Sequence, residues 1–70
     1  MNLKLLTNVI KNSGMKYEYI ASEIGIDRVT LYNKCQGNSE FKVSEINSIS
    51  EILNLSVAEK MNIFFNDKLN

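Results

Sequence analysis

The sequence has no proline, no histidine and only one cysteine, Cys35. A lone cysteine forms no internal disulfide, and without histidine there is no second soft ligand from which a zinc or iron site could be built. The absence of histidine also removes every histidine-based catalytic triad, and the acidic residues stand singly rather than in acid/base pairs. We therefore expect a protein that is not an enzyme and that holds no metal and no cofactor.

Long apolar runs are also missing. No stretch approaches the roughly 20 residues that a membrane-spanning helix needs. At the amino terminus, polar Asn2, Thr7 and Asn8 interrupt the apolar residues and no small-residue cleavage site follows, so a signal peptide is not expected. We interpret the chain as a cytoplasmic protein.

Charge of neither sign is in excess. Eight basic residues balance eight acidic ones, and the isoelectric point is near 6.2. The first 37 residues carry five basic and three acidic side chains, whereas the remaining residues carry three and five. This asymmetry gives weak support for an anionic partner of the first half, because two charges lie within ordinary surface variation.

Helical periodicity runs through the chain, which is short enough to form a single domain over residues 1–70. Apolar residues spaced by three and four predict a first helix over residues 2–13 with Gly14 as its stop. Those apolar residues are Leu3, Leu6, Val9 and Ile10.

Two eight-residue helices are predicted next, over residues 17–24 and 28–35. Gly25 supplies the positive φ that a tight turn between them needs, and Asp27 is a strong N-cap for the helix over residues 28–35. Lys16 stands where the helix over residues 17–24 would need a hydroxyl cap, so the first backbone amides of that helix are expected to be free. The side chains expected to face inward are Ile20, Ala21, Ile24, Ile26, Leu31 and Cys35.

Two further helices complete an all-α, five-helix prediction without strands. The fourth is expected to end at Asn54, and Ser56 with Glu59 forms a capping box for a fifth over about residues 57–65. The fourth is expected to bury Val43, Ile46, Ile49, Ser50 and Leu53, and the fifth Val57, Met61, Phe64 and Phe65.

The second and third helices with their glycine turn predict a helix-turn-helix over about residues 17–36. In such a motif the first helix braces the second, which presents an outward face to a DNA major groove about 12 Å wide. The outward residues of the third helix are expected to be Arg28, Val29, Tyr32, Asn33 and Gln36.

The stretch IASEIGIDRVTL, residues 20–31, resembles the signature of the lambda-repressor-like, Cro-type regulators of phages, prophages and plasmids. The order of the elements over nearly the whole chain is similar too, including the GNS turn at residues 37–39 and LNLS at residues 53–56. The resemblance implies a compact five-helix lambda-repressor-like domain. It also implies a transcriptional regulator that binds a double-stranded DNA operator with residues 28–35 in the major groove.

The resemblance implies the contacts of individual residues as well. Arg28 would bind guanine, Asn33 adenine and Val29 a thymine methyl group, and exposed Tyr32 would reach a base or a phosphate. The residues that match the phosphate-binding positions of the family are Lys16, Tyr17, Gln36, Asn38 and Lys42. Three of them flank the starts of helices, where free amides and the helix dipole favour anions.

Each assignment has an ordinary structural alternative. Arg28 and Lys42 would be merely solvated, as lone surface charges usually are. Tyr17 and Tyr32 would be partly buried packing residues, and Asn33 would only decorate the helix surface.

The third helix departs from the family pattern at its end. Lys34 stands where relatives usually carry an aliphatic residue, and Cys35 follows where many carry a polar one. We expect Cys35 to pack inside as a structural cysteine, and the Lys34 stem to lie along the surface with its amine in solvent. A small rotation of the helix of this kind would alter the roles of Asn33 and Gln36.

Such regulators bind near-palindromic operators as dimers. Because the chain ends at Asn70, we expect a stand-alone regulator whose dimer contact comes from the domain itself. The candidates are Met61, Ile63, Phe64 and Phe65, with Ile63 expected off the buried face. The alternative is that both phenylalanines complete the core.

The competing hypothesis is a protein-binding helix-turn-helix, such as a phage antirepressor or inhibitor. The near-neutral charge favours it, because nucleic-acid-binding domains tend to be basic. Against it, four cations could gather on one face, namely Lys16, Arg28, Lys34 and Lys42.

Overall fold

A computed structural model describes residues 1–65; residues 66–70, which include Asp67 and Lys68, lie outside the described residues. Within the described range the chain is all-helical, with five helices and no strand, as the sequence predicts. They are α1 (Leu3–Ser13), α2 (Tyr17–Ile24), α3 (Arg28–Cys35), α4 (Val43–Ile52) and α5 (Val57–Phe64). None of these helices has the length and apolar content to cross a bilayer.

The helices begin and end where the local sequence signals predict. At the start of α1, Asn2 Oδ1 accepts a hydrogen bond of 3.1 Å from the Leu5 amide, and Gly14 ends the helix with a φ of 76°. At the start of α5, the Ser56 hydroxyl accepts from the Glu59 amide and the Glu59 carboxylate accepts from the Ser56 amide. Asn54 adopts the left-handed conformation expected of a helix stop, with a φ of 54°.

The core lies where the helices cross, with α2 against α3 and α4, and α1 against α3 and α5. Its buried apolar side chains come from all five helices and from the loop before α4. They are Leu6, Ile10, Ile20, Ala21, Leu31, Cys35, Phe41, Ile46, Ile49, Ile63 and Phe64. Most of the predicted inward residues of α1, α2 and α3 are among them, and Leu3, Val9, Ile24 and Ile26 pack against this core as partly buried residues.

Helix α5 buries a different stripe from the predicted one. Ile63 is fully buried beside Phe64, whereas Val57, Met61 and Phe65 are exposed. The ring of the loop residue Phe41 meets Phe64 edge to face with centroids 5.6 Å apart, and Phe41 is part of the core that α5 packs against. The prediction that Ile63 lies off the buried face is wrong, and so is the inward placement of the three exposed residues.

The buried face of helix α4 also differs from the prediction at the first residue of the helix. Val43 is exposed, while Ile46, Ile49 and Ser50 are buried as predicted. Phe41, two residues before Val43, is the buried apolar residue at this end of α4, and the Ser50 hydroxyl donates to the Ile46 carbonyl. No buried side-chain nitrogen or oxygen among residues 1–65 lacks a hydrogen-bond partner.

Candidate nucleic-acid interface

The turn between α2 and α3 depends on one glycine. Gly25 has a φ of 84°, and a Cβ at this position would meet no atom within 4 Å. Glycine is therefore required by the backbone conformation and not by lack of space. The Ile26 amide donates a hydrogen bond of 3.0 Å to the Ala21 carbonyl, and the Asp27 carboxylate accepts one of 2.7 Å from the Thr30 amide to start α3.

Helix α3 presents one face to solvent. Val29 is 60% exposed and Tyr32 is 52% exposed, and Arg28 is exposed as well, whereas Leu31 is fully buried. Asn33 is half-buried on the flank of this face. Three of the four residues predicted to read bases therefore lie on the open surface of α3.

The residues predicted to contact phosphate lie around the ends of the helices. Lys16, Gln36, Asn38 and Lys42 are exposed, and Tyr17 is half-buried. Lys16 and Lys42 are the N-caps of α2 and α4, and neither provides a side-chain hydrogen bond to its helix. The two helix starts differ, because the Lys42 amide donates to Glu45 Oε1 over 2.8 Å, whereas α2 has no side-chain cap.

The turn after α3 is held by backbone hydrogen bonds. The Gly37 amide donates to the Lys34 carbonyl and the Asn38 amide to the Asn33 carbonyl, over 3.2 and 2.9 Å. Gly37 has a φ of 85°, as a glycine that ends a helix commonly has. These bonds fix the backbone of Gln36 and Asn38 relative to α3.

Lys34 is buried, which corrects the prediction that its amine lies in solvent. Its Nζ donates to the Glu40 carbonyl over 2.8 Å and lies 3.0 Å from Glu45 Oε1, and both charged side chains are only 9% exposed. Position 34 falls on the inward stripe of α3 because it follows buried Leu31 by three residues. Glu45 on α4 makes burial of the ammonium tolerable because the charge is paired and hydrogen-bonded. Cys35 packs in the core as predicted.

Hydrogen bonds lower the pKa values of two carboxylates near this surface, those of Glu45 and Asp27. Burial alone would raise the pKa of Glu45, but hydrogen bonds from the Lys42 amide and the Lys34 ammonium outweigh it and lower this pKa below its ordinary value. The pKa of Asp27 is lowered because its carboxylate accepts hydrogen bonds from Thr30. With Lys34 neutralised by Glu45, the cations that remain on the predicted interface are Lys16, Arg28 and Lys42.

The structure brings two of the predicted interface residues into contact. The rings of Tyr17 and Tyr32 have centroids 6.0 Å apart and are inclined at 54°. Burial raises the pKa of the Tyr17 hydroxyl, and the neighbouring Cys35 thiol raises it further. Burial also raises the pKa of Cys35 to about 11, so the thiol is protonated at neutral pH and is a poor nucleophile.

No group of three histidine, cysteine, aspartate or glutamate side chains in the described part of the chain comes together in a way that could hold a metal ion.

No protein-family model matches the chain. No curated protein and no solved structure matches it either.

Sequence reasoning missed the placement of three residues. Phe41 was not assigned to the core, and Lys34 and Glu45 were not paired. A signal was present for Lys34, because the spacing from Leu31 to Lys34 and Cys35 is a helical stripe. No local signal shows that Glu45, eleven residues later, would meet it.

Proposed function

We propose that the protein is a sequence-specific double-stranded DNA-binding transcriptional regulator of the lambda-repressor-like, Cro type. In this proposal α2 and α3 are the two helices of a helix-turn-helix, and α3 enters the major groove of an operator. The observation that carries the proposal is the pair of eight-residue helices in contact across the left-handed Gly25 turn, with Arg28, Val29 and Tyr32 on the open face of α3.

The chemistry of that face fits base edges. A guanidinium donates two parallel hydrogen bonds to guanine O6 and N7, and an apolar side chain such as Val29 packs on the methyl group of thymine. Asn33 would contribute from the flank, where it is partly exposed. Tyr32 extends the apolar part of the face beyond Val29.

The surroundings of α3 fit the phosphate backbone. Lys16 and Lys42 are exposed cations at the starts of α2 and α4, and Gln36 and Asn38 are exposed polar residues in the turn after α3. Contacts of this kind set the register of a protein on the duplex and make its affinity depend on salt.

The proposal extends to a homodimer that binds two half-sites about one helical turn apart. Of the four residues predicted for the dimer contact, Ile63 and Phe64 are committed to the core, so the surface that remains consists of Met61 and Phe65. Val57, 80% exposed, lies on the same side of α5, four residues before Met61.

Selection of the purified protein against a random-sequence duplex library tests the proposal. The expected result is enrichment of a two-fold-symmetric site whose affinity falls steeply between about 50 and 200 mM salt. Failure to enrich any sequence at the lowest salt concentration would contradict the proposal. A protein carrying Arg28→Ala and Val29→Ala together is the matched control and should lose the enrichment while remaining folded.

A protein-binding module, such as a phage antirepressor or inhibitor, is the second candidate. The observation that favours it is the exposure of Val29 and Tyr32 on a face from which the buried ion pair has removed the charge of Lys34. This candidate predicts no duplex enrichment. It also predicts a stoichiometric partner that is recovered from nuclease-treated host lysate by the wild-type protein and not by the Arg28→Ala and Val29→Ala variant.

A further inference from the structure

The two tyrosines at the α2–α3 surface have different surroundings. Tyr17 is the first residue of α2 and is half-buried, whereas Tyr32 lies in the middle of α3 with 52% of its surface exposed. Their rings touch at a centroid distance of 6.0 Å and an inclination of 54°, within the range that aromatic pairs prefer. One ring is thus held by the fold and the other reaches into solvent.

The side chain of Tyr17 is directed partly into the protein. It is half-buried, and the nearby thiol of buried Cys35 raises the pKa of its hydroxyl in addition to the effect of burial. Family resemblance implies a phosphate contact for the hydroxyl at this position, whereas the contact that the structure shows for its ring is with Tyr32. The ring of Tyr17 therefore joins the start of α2 to the middle of α3.

We propose that Tyr17 is a positioning residue: its ring holds the Tyr32 side chain in one orientation on the open face of α3, and Tyr32 in that orientation discriminates at one base pair of the operator. The DNA part of this inference rests on the proposed function. The restriction of Tyr32 by Tyr17 is a property of the free protein and does not depend on that function.

Prior restriction of a side chain raises specificity for a physical reason. An exposed tyrosine on a helix samples more than one rotamer, and binding must then select one of them at an entropic cost. Contact with a half-buried ring limits that choice before DNA arrives. Loss of the contact should therefore weaken discrimination where Tyr32 acts and leave the other base pairs unchanged.

The first test uses the free protein. Nuclear magnetic resonance couplings report whether χ1 of Tyr32 occupies one rotamer or averages over several. We expect one rotamer in the wild type and in Tyr17→Phe, which keeps the ring, and averaging in Tyr17→Leu, which keeps an apolar side chain without a ring. Averaging in the wild type, or an unchanged rotamer in Tyr17→Leu, would overturn the inference.

The second test compares base preferences, measured by duplex selection, among Tyr17→Leu, Tyr32→Ala and the double variant. Tyr17→Leu should reduce preference about two- to ten-fold at the same base pair that Tyr32→Ala affects, with no further loss in the double variant. Tyr17→Phe should match the wild type. Tyr19→Ala, which removes the exposed tyrosine of α2, is the control and should leave every preference unchanged.

The alternative role for Tyr17 gives a different result. If the hydroxyl contacts a phosphate, Tyr17→Phe will weaken binding to all duplexes alike, and the salt dependence will fall by about one charge. That outcome overturns the positioning role. If the wild type enriches no duplex, the proposed function fails, and the rotamer measurement alone decides whether Tyr17 restricts Tyr32.

Discussion

The ammonium of Lys34 lies 3.0 Å from Glu45 Oε1 and joins the end of α3 to the first turn of α4. The same carboxylate oxygen accepts a hydrogen bond from the Lys42 amide, and the ammonium also donates to the Glu40 carbonyl. These contacts connect α3, the loop that follows it and the start of α4. The loop that carries Asn38 and Lys42 is therefore anchored at a buried charge pair.

Replacing Lys34 with methionine should destabilise the protein by about 1 to 3 kcal/mol, because the Glu45 carboxylate is left buried without its cation. Adding Glu45→Gln should recover part of that loss, since glutamine removes the charge and keeps an oxygen for the Lys42 amide. Urea unfolding at pH 7 measures both effects. Lys4→Met, at an exposed lysine of α1, should change stability by less than about 0.5 kcal/mol. Equal stability of Lys34→Met and Lys4→Met would show that the buried pair contributes nothing.

Stability should fall as the pH is lowered through the range in which Glu45 titrates. The folded protein holds the pKa of Glu45 below the ordinary value of 4.5, so the unfolded chain binds the proton more readily. The stabilisation is therefore complete above about pH 5 and is lost as the pH falls through the pKa of the folded state. Thermal unfolding between pH 3 and 7 should show a smaller loss in Glu45→Gln than in the wild type. Glu51→Gln, at an exposed position of the same helix, should lose stability as the wild type does.

Gly25 and Gly14 allow backbone strain to be separated from function. Both have positive φ and both have room for a Cβ, so alanine at either position should cost about 1 to 2 kcal/mol of stability. Only Gly25 sets the angle between α2 and α3. Gly25→Ala should therefore weaken binding to the selected duplex beyond its effect on folding, whereas Gly14→Ala should not. Equal binding by the two folded variants would argue that the α2–α3 turn does not position the interface.

The face of α5 that packs in the core can be distinguished from the face proposed for dimer contact. Ile63 is fully buried, so Ile63→Ala should cost about 2 to 5 kcal/mol. Met61, 49% exposed, should tolerate serine within about 0.5 kcal/mol, while assembly on two half-sites weakens. Sedimentation of protein with a one-site or a two-site duplex measures the assembly. If Met61→Ser assembles on two sites as the wild type does, the dimer contact lies elsewhere.

The sequence predicted features that depend on neighbours along the chain. Asp27, Gly25 and the Ser56–Glu59 box act within three or four residues, and the helix bounds they predict agree with the structure to within about one residue. The errors arose where distant segments meet. Phe41, in the loop before α4, packs on Phe64 of α5, and Glu45 of α4 pairs with Lys34 of α3. Neither partner can be identified from helical periodicity, because periodicity gives the face of one helix and not the side chain opposite it.

The outward residues of α3 and the cation at the start of α4 should affect DNA binding in different ways. Arg28→Ala should cost about 1 to 3 kcal/mol at one base pair and relax preference there, because a bidentate contact to guanine has no substitute. Lys42→Ala should weaken binding to all sequences alike and reduce the salt dependence by about one charge. Its amide remains bonded to Glu45, so the start of α4 keeps its cap and the variant should fold normally. Titration of both variants with the selected duplex and with single-base substitutions of it at two salt concentrations separates the effects. Uniform weakening by Arg28→Ala would make it a phosphate contact, and unchanged binding in both variants would remove this surface from the DNA interface.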